Sequence, residues 1–327
     1  MPKFYQRLLL LMLLVLVISG MVIYFTVDIH TLKHLNSFKP WSILLALIML
    51  AIGLVLDGTR LMHLVRISDE MISLGEAVQV VFGNYFLALL TPGAAGGAVA
   101  QVMFLRRAGV PTGKATVFVV VRTLLSILFL LLCIPVVFYY DPGLLPWISE
   151  QTLFIASVVV VSIIVITIWL FRTNIPNFLL VRLTKRLNYH RRRHIFSIYR
   201  DIRGAVFLLS SAPFSMLRVF LESAMSLLAL YSVVPILFIG MGVEIDWQHV
   251  MGRMVFLNIL LYFAPTPGGS GIAEGGFVLL FSDFLPSGTV GIAAVAWRII
   301  AEYLPFMIGL YYTIKVFGRD FINKQIN

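Results

Sequence analysis

Two arginines inside long apolar segments are the side chains of this chain most suited to chemistry. Arg122 lies 31 residues after Thr91, and Arg298 lies 32 residues after Thr266; both threonines begin a Thr-Pro-Gly triplet. A charge inside a bilayer costs on the order of 3 kcal/mol or more, so such a residue generally has a function. Because a guanidinium matches the geometry of a phosphate group, each arginine is a candidate phosphate ligand. The alternative is that each one bonds to the carbonyl groups of broken backbone nearby.

Each arginine follows a motif in which proline and glycine interrupt an apolar run. The first motif contains Asn84, Thr91, Pro92, Gly93 and Gly96, and the second contains Asn258, Thr266, Pro267, Gly268 and Gly271. Proline lacks a backbone N–H and glycine allows turns that other residues resist, so both motifs predict an irregular turn between two half-helices. The N–H groups that begin each second half-helix favour an anion. We predict that both motifs bind substrate together with the two arginines; the asparagines and threonines could instead tie the broken backbone together.

Six further ionisable side chains in apolar surroundings are candidates for coupling or gating: Asp57, Arg60, Arg218, Glu222, Glu274 and Glu302. Asp57 and Arg60 are three residues apart, and Arg218 and Glu222 are four apart, so each pair shares one face of a helix. Both pairs lie toward the predicted cytoplasmic ends of their helices. They predict either structural ion pairs or a cytoplasmic gate.

The remaining membrane charges have local interpretations beside functional ones. Glu302 lies one helical turn after the second arginine, which predicts a local ion pair. Glu274 lies in the first turn of the second half-helix, where it can cap backbone N–H groups or carry a proton. Its counterpart in the first motif is Val99, and Gln101 is the nearest polar residue there. Arg253 is predicted to lie at the membrane interface.

The elements that hold these residues must be apolar helices. Of 327 residues, 60% are hydrophobic and 12% are charged, which excludes a water-soluble domain, and the single cysteine excludes a disulfide scaffold. A crossing needs about 20 apolar residues. Six stretches satisfy this length, at residues 8–27, 41–65, 115–139, 152–171, 214–240 and 290–316. The first is too long for a signal peptide and has no cleavage site, so we predict that it is retained.

Two further apolar regions, residues 74–108 and 250–282, are each broken in the middle by one of the motifs. Each half has about 15 residues, which is short for a crossing and predicts a re-entrant hairpin. We therefore predict an all-α polytopic membrane protein with about six transmembrane helices and two re-entrant helical hairpins. The chain is expected to form one membrane domain over residues 1–327, with a first repeat at 41–140 and a second at 213–316.

Basic residues set the predicted orientation of these helices. Eighteen of the 25 Lys and Arg residues collect on one face, which places both termini in the cytoplasm. Arg66 and Arg106 flank the first hairpin, whereas Glu244 and Asp283 flank the second, so the two repeats are predicted to be inverted. The basic cytoplasmic loop at 172–205 has leucines at helical spacing. It predicts an interfacial helix that binds anionic lipid between Arg172 and Arg203.

The second motif also carries a family resemblance. Residues 258–277, with their Pro-Thr-Pro-Gly-Gly-Ser-Gly-Ile-Ala-Glu core, closely resemble the signature of the lysylphosphatidylglycerol synthase transmembrane-region family, and residues 83–107 resemble its first motif. The resemblance covers residues 8–318. It implies a flippase-like protein of a bacterial or archaeal cell membrane, of the stand-alone type without an aminoacyl-transferase domain. Synthesis of lysylphosphatidylglycerol is therefore not expected.

These patterns together predict a transporter. Paired Gly/Pro-interrupted segments in inverted halves mark midplane sites in secondary transporters. The expected activity is flippase or scramblase transfer of a phosphate-bearing lipid, a phospholipid or a polyprenyl phosphate, between leaflets. The alternatives are a membrane enzyme that acts on lipid phosphates, and a membrane partner of a lipid-modifying enzyme docked at the basic loop. No cofactor, metal or nucleic acid is expected, and assembly as a homo-oligomer stays open.

Overall fold

A computed structural model describes residues 38–144, 213–286 and 288–326, with scattered residues between 151 and 212. The predicted span at residues 8–27 lies outside the described residues, and the span at 152–171 lies mostly outside them. The helices with described bounds are, in chain order, α1 Pro40–Arg66, α2 Leu74–Leu90, α3 Ala95–Arg107, α4 Thr112–Tyr140, α5 Ile175–Leu183, α6 Pro213–Tyr231, α7 Val233–Gly240, α8 Trp247–Tyr262, α9 Ile272–Phe281, α10 Val290–Arg298 and α11 Leu304–Ile326.

Four helical segments within the described part of the chain are long and apolar enough to cross a membrane. They are Pro40–Arg66, Thr112–Tyr140, Pro213–Gly240 and Val290–Phe317. Each corresponds to a predicted span and agrees with it within three residues at either end. The all-α membrane class is thereby confirmed.

Two of these segments are not the continuous α-helices that hydropathy predicts. The third breaks at Ser232 between α6 and α7, and the fourth contains a π-helix at Ile299–Tyr303 between α10 and α11. A proline follows each break, Pro235 in the first case and Pro305 in the second. Because proline has no N–H for the carbonyl four residues earlier, the α-helical ladder is interrupted at both places.

The two predicted hairpins are present as paired helices, α2 with α3 and α8 with α9. Their lengths are 17, 13, 16 and 10 residues, all below the roughly 20 that a crossing needs. Ser73 and Glu76 begin α2 with a reciprocal capping box. The second hairpin begins at Trp247, three residues earlier than predicted. Asp246 caps it by accepting from the Gln248 N–H at 2.9 Å, and this bond lowers the pKa of Asp246.

The faces of α1 illustrate how the helices are oriented. Leu44, Ile48 and Ile52 recur at helical spacing and are exposed, whereas Asp57 and Arg60 are buried. An apolar exterior with charge on the inside is the pattern of a helix packed in lipid. The helix therefore presents its polar residues to α4 and α6, the neighbours with which it packs.

Among the described residues, buried apolar side chains form two large clusters and a small third one at Phe86, Leu89, Leu90 and Phe306. One surrounds the second hairpin and contains the mutually packed rings of Phe238, Phe277, Phe281 and Trp297. The other surrounds the first hairpin and is centred on residues such as Phe118. The first hairpin also contributes Val81 to the cluster around the second hairpin, so the two hairpins share part of their apolar packing.

Arg253 lies at the end of the second hairpin, and its predicted place at the membrane interface stays a prediction. Its side chain is only 14% exposed, and its Nε donates to Asp141 Oδ2 at 2.6 Å. Its Nη1 donates to the Leu280 carbonyl at 2.6 Å, and its guanidinium lies 4.6 Å from the centre of the Phe284 ring. Arg253 therefore joins α8 to the end of α9 and to the end of α4.

Replacing Arg253 with glutamine is expected to destabilise the protein by about 3–5 kcal/mol, because Asp141 would be left buried without a cation. Denaturant titration of the purified protein in detergent measures the change. The double variant Arg253→Gln, Asp141→Asn removes the unpaired charge and is expected to recover most of the loss. An equal loss in the single and double variants would contradict the ion-pair interpretation.

Candidate functional site

The first turn is closed by its own threonine. Thr91 Oγ1 donates to the Leu87 carbonyl at 2.8 Å and accepts from the Gly96 N–H at 2.7 Å. Gly93 and Ala94 have φ angles of +61° and +53°, which reverse the chain before α3 begins. Thr91 therefore ties the broken backbone together, as one of its two interpretations predicts. Its hydroxyl caps an N–H that the sequence interpretation left free for an anion.

The second turn is closed by a carboxylate instead. Glu274 Oε2 accepts from the Gly271 N–H at 2.8 Å. Glu274 therefore caps a backbone N–H at the start of α9, which is one of its two predicted roles. Ser270 Oγ donates to the Pro267 carbonyl at 2.8 Å. Thr266 Oγ1 is buried and has no hydrogen-bond partner among the described residues. The two turns have the same sequence pattern but satisfy their backbone groups with different side chains.

The turns of the two hairpins touch. Pro92 and Pro267 form an isolated antiparallel bridge, which joins corresponding residues of the two motifs. Gly268 follows this bridge with φ +58°, and a Cβ at this position would lie 2.4 Å from Leu89 Cδ1. Only glycine fits both the backbone angle and the close approach. The motifs thus meet at one place inside the protein.

Arg298 is buried beside the second turn, with 1% of its surface exposed. Its Nε donates to Glu274 Oε1 at 3.0 Å, and its Nη1 and Nη2 donate to the Gly268 carbonyl at 3.1 and 3.2 Å. Nη1 also donates to Glu302 Oε2. The predicted local ion pair between Arg298 and Glu302 is therefore present. The bonds to the Gly268 carbonyl agree with the alternative interpretation, in which the arginine donates to a carbonyl group of the interrupted backbone.

Arg122 makes no such contact with its own turn. Two of its nitrogens donate to the Asp57 carboxylate, and its Nη1 donates to Gln101 Oε1 at 2.5 Å. Gln101 in turn donates to Asn84 Oδ1 at 2.8 Å. Arg122 is thus linked to the first hairpin through side chains, and to α1 through Asp57. Asn258, by contrast, donates to the Met254 carbonyl of its own helix at 2.9 Å.

Asp57 is shared by two arginines. Arg60 Nε also contacts Asp57, and Arg60 Nη1 donates to Ser126 Oγ at 3.0 Å and to Ser223 Oγ. These contacts join α1, α4 and α6. The ion pair of Asp57 and Arg60 is therefore buried between these three helices, in the interior of the protein.

A cavity of about 290 Å³ lies between these clusters. Seven of the predicted site residues line it: Asn84, Asn258, Gly268, Arg122, Glu302, Asp57 and Arg60. Nine further predicted positions, which belong to the two turns and their immediate contacts, do not line it: Thr91, Pro92, Gly93, Gly96, Thr266, Pro267, Gly271, Arg298 and Glu274. Both hairpins contribute to one cavity, as the paired motifs suggest.

The charges lining the cavity balance. Arg60 and Arg122 face Asp57 and Glu302, so the formal charge of the lining is zero. The sequence interpretation assigned the two buried arginines and the N–H groups of the half-helices to anion binding, which implies a cavity of positive charge. It differs from the structure because each buried arginine is paired with a carboxylate, as charges in a low-dielectric interior require.

Sequence reasoning missed the aromatic and hydroxyl groups of the cavity. Tyr85, Tyr231, Tyr262 and Trp297 line it, together with Ser126. Ser126 follows Arg122 by one helical turn, so helix spacing was an available signal. The tyrosines lie in apolar runs, where an aromatic ring can equally well pack in the core or line a binding site. Their sequence positions therefore gave no signal.

Arg218 and Glu222 lie outside the cavity lining. Arg218 Nε donates to Glu222 Oε1 at 3.1 Å, and the Arg218 side chain is 65% exposed. Glu222 Oε2 also pairs with His63 Nδ1 at 2.8 Å. The predicted ion pair is present, joined by a histidine that the sequence interpretation did not assign. Its part in gating stays a prediction.

The basic loop at 172–205 is described only in part, and its predicted contact with anionic lipid stays a prediction. Ile175–Leu183 is α-helical, as the leucine spacing predicts for this stretch. Within the described residues, no group of three His, Cys, Asp or Glu side chains is placed to hold a metal ion.

Comparison with known proteins places the chain in a family. Residues 12–309 match the family described as the lysylphosphatidylglycerol synthase TM region. A protein of Archaeoglobus fulgidus named UPF0104 membrane protein is 22% identical over 297 residues, which cover 88% of this chain and 90% of the relative. Because the family match includes both hairpins, both arginines and the residues that line the cavity, the chain belongs to the lysylphosphatidylglycerol synthase TM region family.

Proposed function

We propose that this membrane protein transfers a phosphate-bearing lipid between leaflets, with the headgroup passing through the cavity at the meeting point of the two hairpins. The observation that carries the proposal is that both broken motifs line one cavity, whose lining also contains two arginines and two carboxylates. Discontinuous helices that meet at one site are typical of secondary transporters. We further propose that the protein lies in the cell membrane with both termini in the cytoplasm.

The arginine end of the cavity is the proposed phosphate site. Arg60 and Arg122 both line the cavity and share one carboxylate, Asp57, so this cluster has one positive charge in excess. A guanidinium donates two parallel hydrogen bonds to a phosphate. Ser126 and Ser226 add hydroxyl groups to the cavity lining.

The size of the cavity favours a headgroup and excludes whole lipids. Its volume of about 290 Å³ is at the lower end of the range of small-ligand pockets. Acyl chains or a polyprenyl tail would therefore stay in the bilayer while the headgroup enters. Rocking of one hairpin-bearing half against the other would expose the cavity to each side in turn.

The substitution Arg122→Gln is expected to slow lipid transfer about 10- to 100-fold, because a hydrogen bond to a charged group contributes about 1.5–3 kcal/mol. The assay uses purified protein in vesicles with headgroup-labelled phosphatidylglycerol and a quencher added outside. Arg66→Gln, on α1 and exposed at its end, is the matched control and is expected to leave the rate unchanged.

Three results would overturn the proposal. They are equal rates for the wild type and Arg122→Gln, absence of transfer across a panel of phospholipids and polyprenyl phosphates, and release of inorganic phosphate from a prenyl pyrophosphate by the pure protein. The last result would assign an enzyme acting on lipid phosphates.

A further inference from the structure

The two charged clusters beside the cavity have opposite excess charge. Asp57 is shared by Arg60 and Arg122, which leaves one positive charge in excess. Arg298 is shared by Glu274 and Glu302, which leaves one negative charge in excess when both are ionised. With all these groups ionised, the empty cavity is neutral overall. A bound phosphate monoanion would therefore leave one uncompensated negative charge in a low-dielectric interior, which is costly.

Of the two carboxylates at Arg298, Glu302 is the one placed to take a proton. Both oxygens of Glu274 already accept hydrogen bonds, Oε1 from Arg298 and Oε2 from the Gly271 N–H, and its residue is only 2% exposed. Glu302 accepts from Arg298 through Oε2 alone, and its Oε1 has no partner among the described residues. Glu302 also lines the cavity, whereas Glu274 does not.

The groups that face Glu302 come from every element packed around it. The π-helix at Ile299–Tyr303 holds Glu302 itself, and π-helical turns are frequent at functional sites. Glu302 contacts Arg298 directly, and Glu274 of α9 lies on the far side of the same guanidinium. The Tyr85 hydroxyl of α2 lies within electrostatic reach of both Glu302 and Asp57. The other charged groups in the cavity lining are Asp57 and Arg60 of α1 and Arg122 of α4.

We propose that Glu302 takes up one proton when a lipid phosphate enters the cavity, so that lipid and proton cross together. This inference rests on the proposed function. A proton from the aqueous phase binds Glu302 Oε1 as the phosphate binds at Arg60 and Arg122, and the same proton leaves when the phosphate leaves. The empty cavity with ionised Glu302 and the loaded cavity with protonated Glu302 are both neutral. A monoanionic lipid and a proton therefore move without net charge, and a pH gradient drives the lipid.

Proton uptake on binding tests the inference directly. Purified protein in weakly buffered detergent, with a pH-sensitive dye, is titrated with short-chain phosphatidylglycerol. The wild type is expected to take up about one proton per lipid bound, as the proposed stoichiometry requires. Glu302→Gln is expected to bind the lipid with no uptake. Glu302→Asp retains a carboxyl group and is expected to retain uptake, and Glu244→Gln, an exposed carboxylate outside the cavity, is the matched control.

Transport provides a second measurement. In vesicles with an imposed pH gradient, wild-type protein is expected to accumulate labelled phosphatidylglycerol in the leaflet on the alkaline side. Glu302→Gln is expected to transfer lipid without any bias from the gradient. An unfolding midpoint close to that of the wild type confirms that the variant is folded, because Arg298 keeps Glu274 as a partner.

The outcomes separate the inference from the function on which it rests. Equal proton uptake by wild type and Glu302→Gln overturns the inference, and so does lipid transfer without proton uptake; both leave the proposed function intact. Tighter binding of amine-bearing lipids that depends on Glu302, without proton uptake, also overturns it. Absence of binding and transfer for every phosphate lipid overturns the proposed function and the inference together.

Discussion

Replacing Arg298 with glutamine is expected to lower the free energy of unfolding by about 3–5 kcal/mol, which is a large share of the stability of a typical protein. The variant leaves Glu274 and Glu302 facing each other with no cation, and it removes both donors to the Gly268 carbonyl. Arg298 is 1% exposed, so the substitution removes these contacts in the protein interior, where an unpaired carboxylate is costly. Titration of the protein from mild detergent into sodium dodecyl sulfate measures the loss.

The corresponding arginine of the first motif provides the control. Arg122→Gln is expected to cost only about 1–3 kcal/mol, because Asp57 retains Arg60 as its partner. The two variants differ in what they leave behind. Arg298→Gln leaves two acids without a cation, whereas Arg122→Gln leaves one acid that still has a cation. Equal losses at the two positions would contradict the assigned charge pairing.

Replacing Gly268 with alanine is the second change with a large expected effect. The φ angle of +58° disfavours any residue with a Cβ by about 1–2 kcal/mol, and the Cβ would meet Leu89 of the first hairpin at 2.4 Å. Overpacking adds about 1–3 kcal/mol. Because the clash lies between the two turns, lipid transfer is expected to fall together with stability.

A matched substitution at Gly93 separates the cost of the backbone angle from the cost of overpacking. It has φ +61° in the equivalent place of the first motif, and a Cβ there would meet nothing within 4 Å. Gly93→Ala is therefore expected to show the backbone cost alone, about 1–2 kcal/mol. Denaturation midpoints and transfer rates of both variants make the comparison. A loss at Gly93 as large as that at Gly268 would mean that the contact between the hairpins contributes little.

The helical hairpins were predictable because their cause is local. Proline and glycine at Thr91-Pro92-Gly93 and Thr266-Pro267-Gly268 interrupt apolar runs, and both residue types disfavour the interior of a helix. Helix boundaries followed hydropathy within a few residues. The break at Ser232 and the π-helix at Ile299–Tyr303 were not predicted, since the hydropathy of each segment describes one uninterrupted span. Their signals were Pro235 and Pro305.

The partners of the buried charges could be predicted only where they lie on the same helix. Helical spacing brings Arg298 to Glu302 and Asp57 to Arg60, and both contacts are present. The contact of Arg122 with Asp57 joins residues 65 positions apart, and it depends on how α4 packs against α1. Spacing along the chain contains no information on such a contact. Without Asp57 as its partner, Arg122 was counted as an unpaired positive charge, and the cavity was expected to be positive rather than neutral.

The bridge between Pro92 and Pro267 limits how firmly the two hairpins adhere. A strand pair lengthens by adding extended residues on either side, but Gly93 and Gly268, which follow the two prolines, have φ angles of +61° and +58° and are not extended. The pairing therefore stays at a single rung and cannot grow into a ribbon. At this contact, a single rung is all that has to open for the two turns to part, and no helix has to unravel.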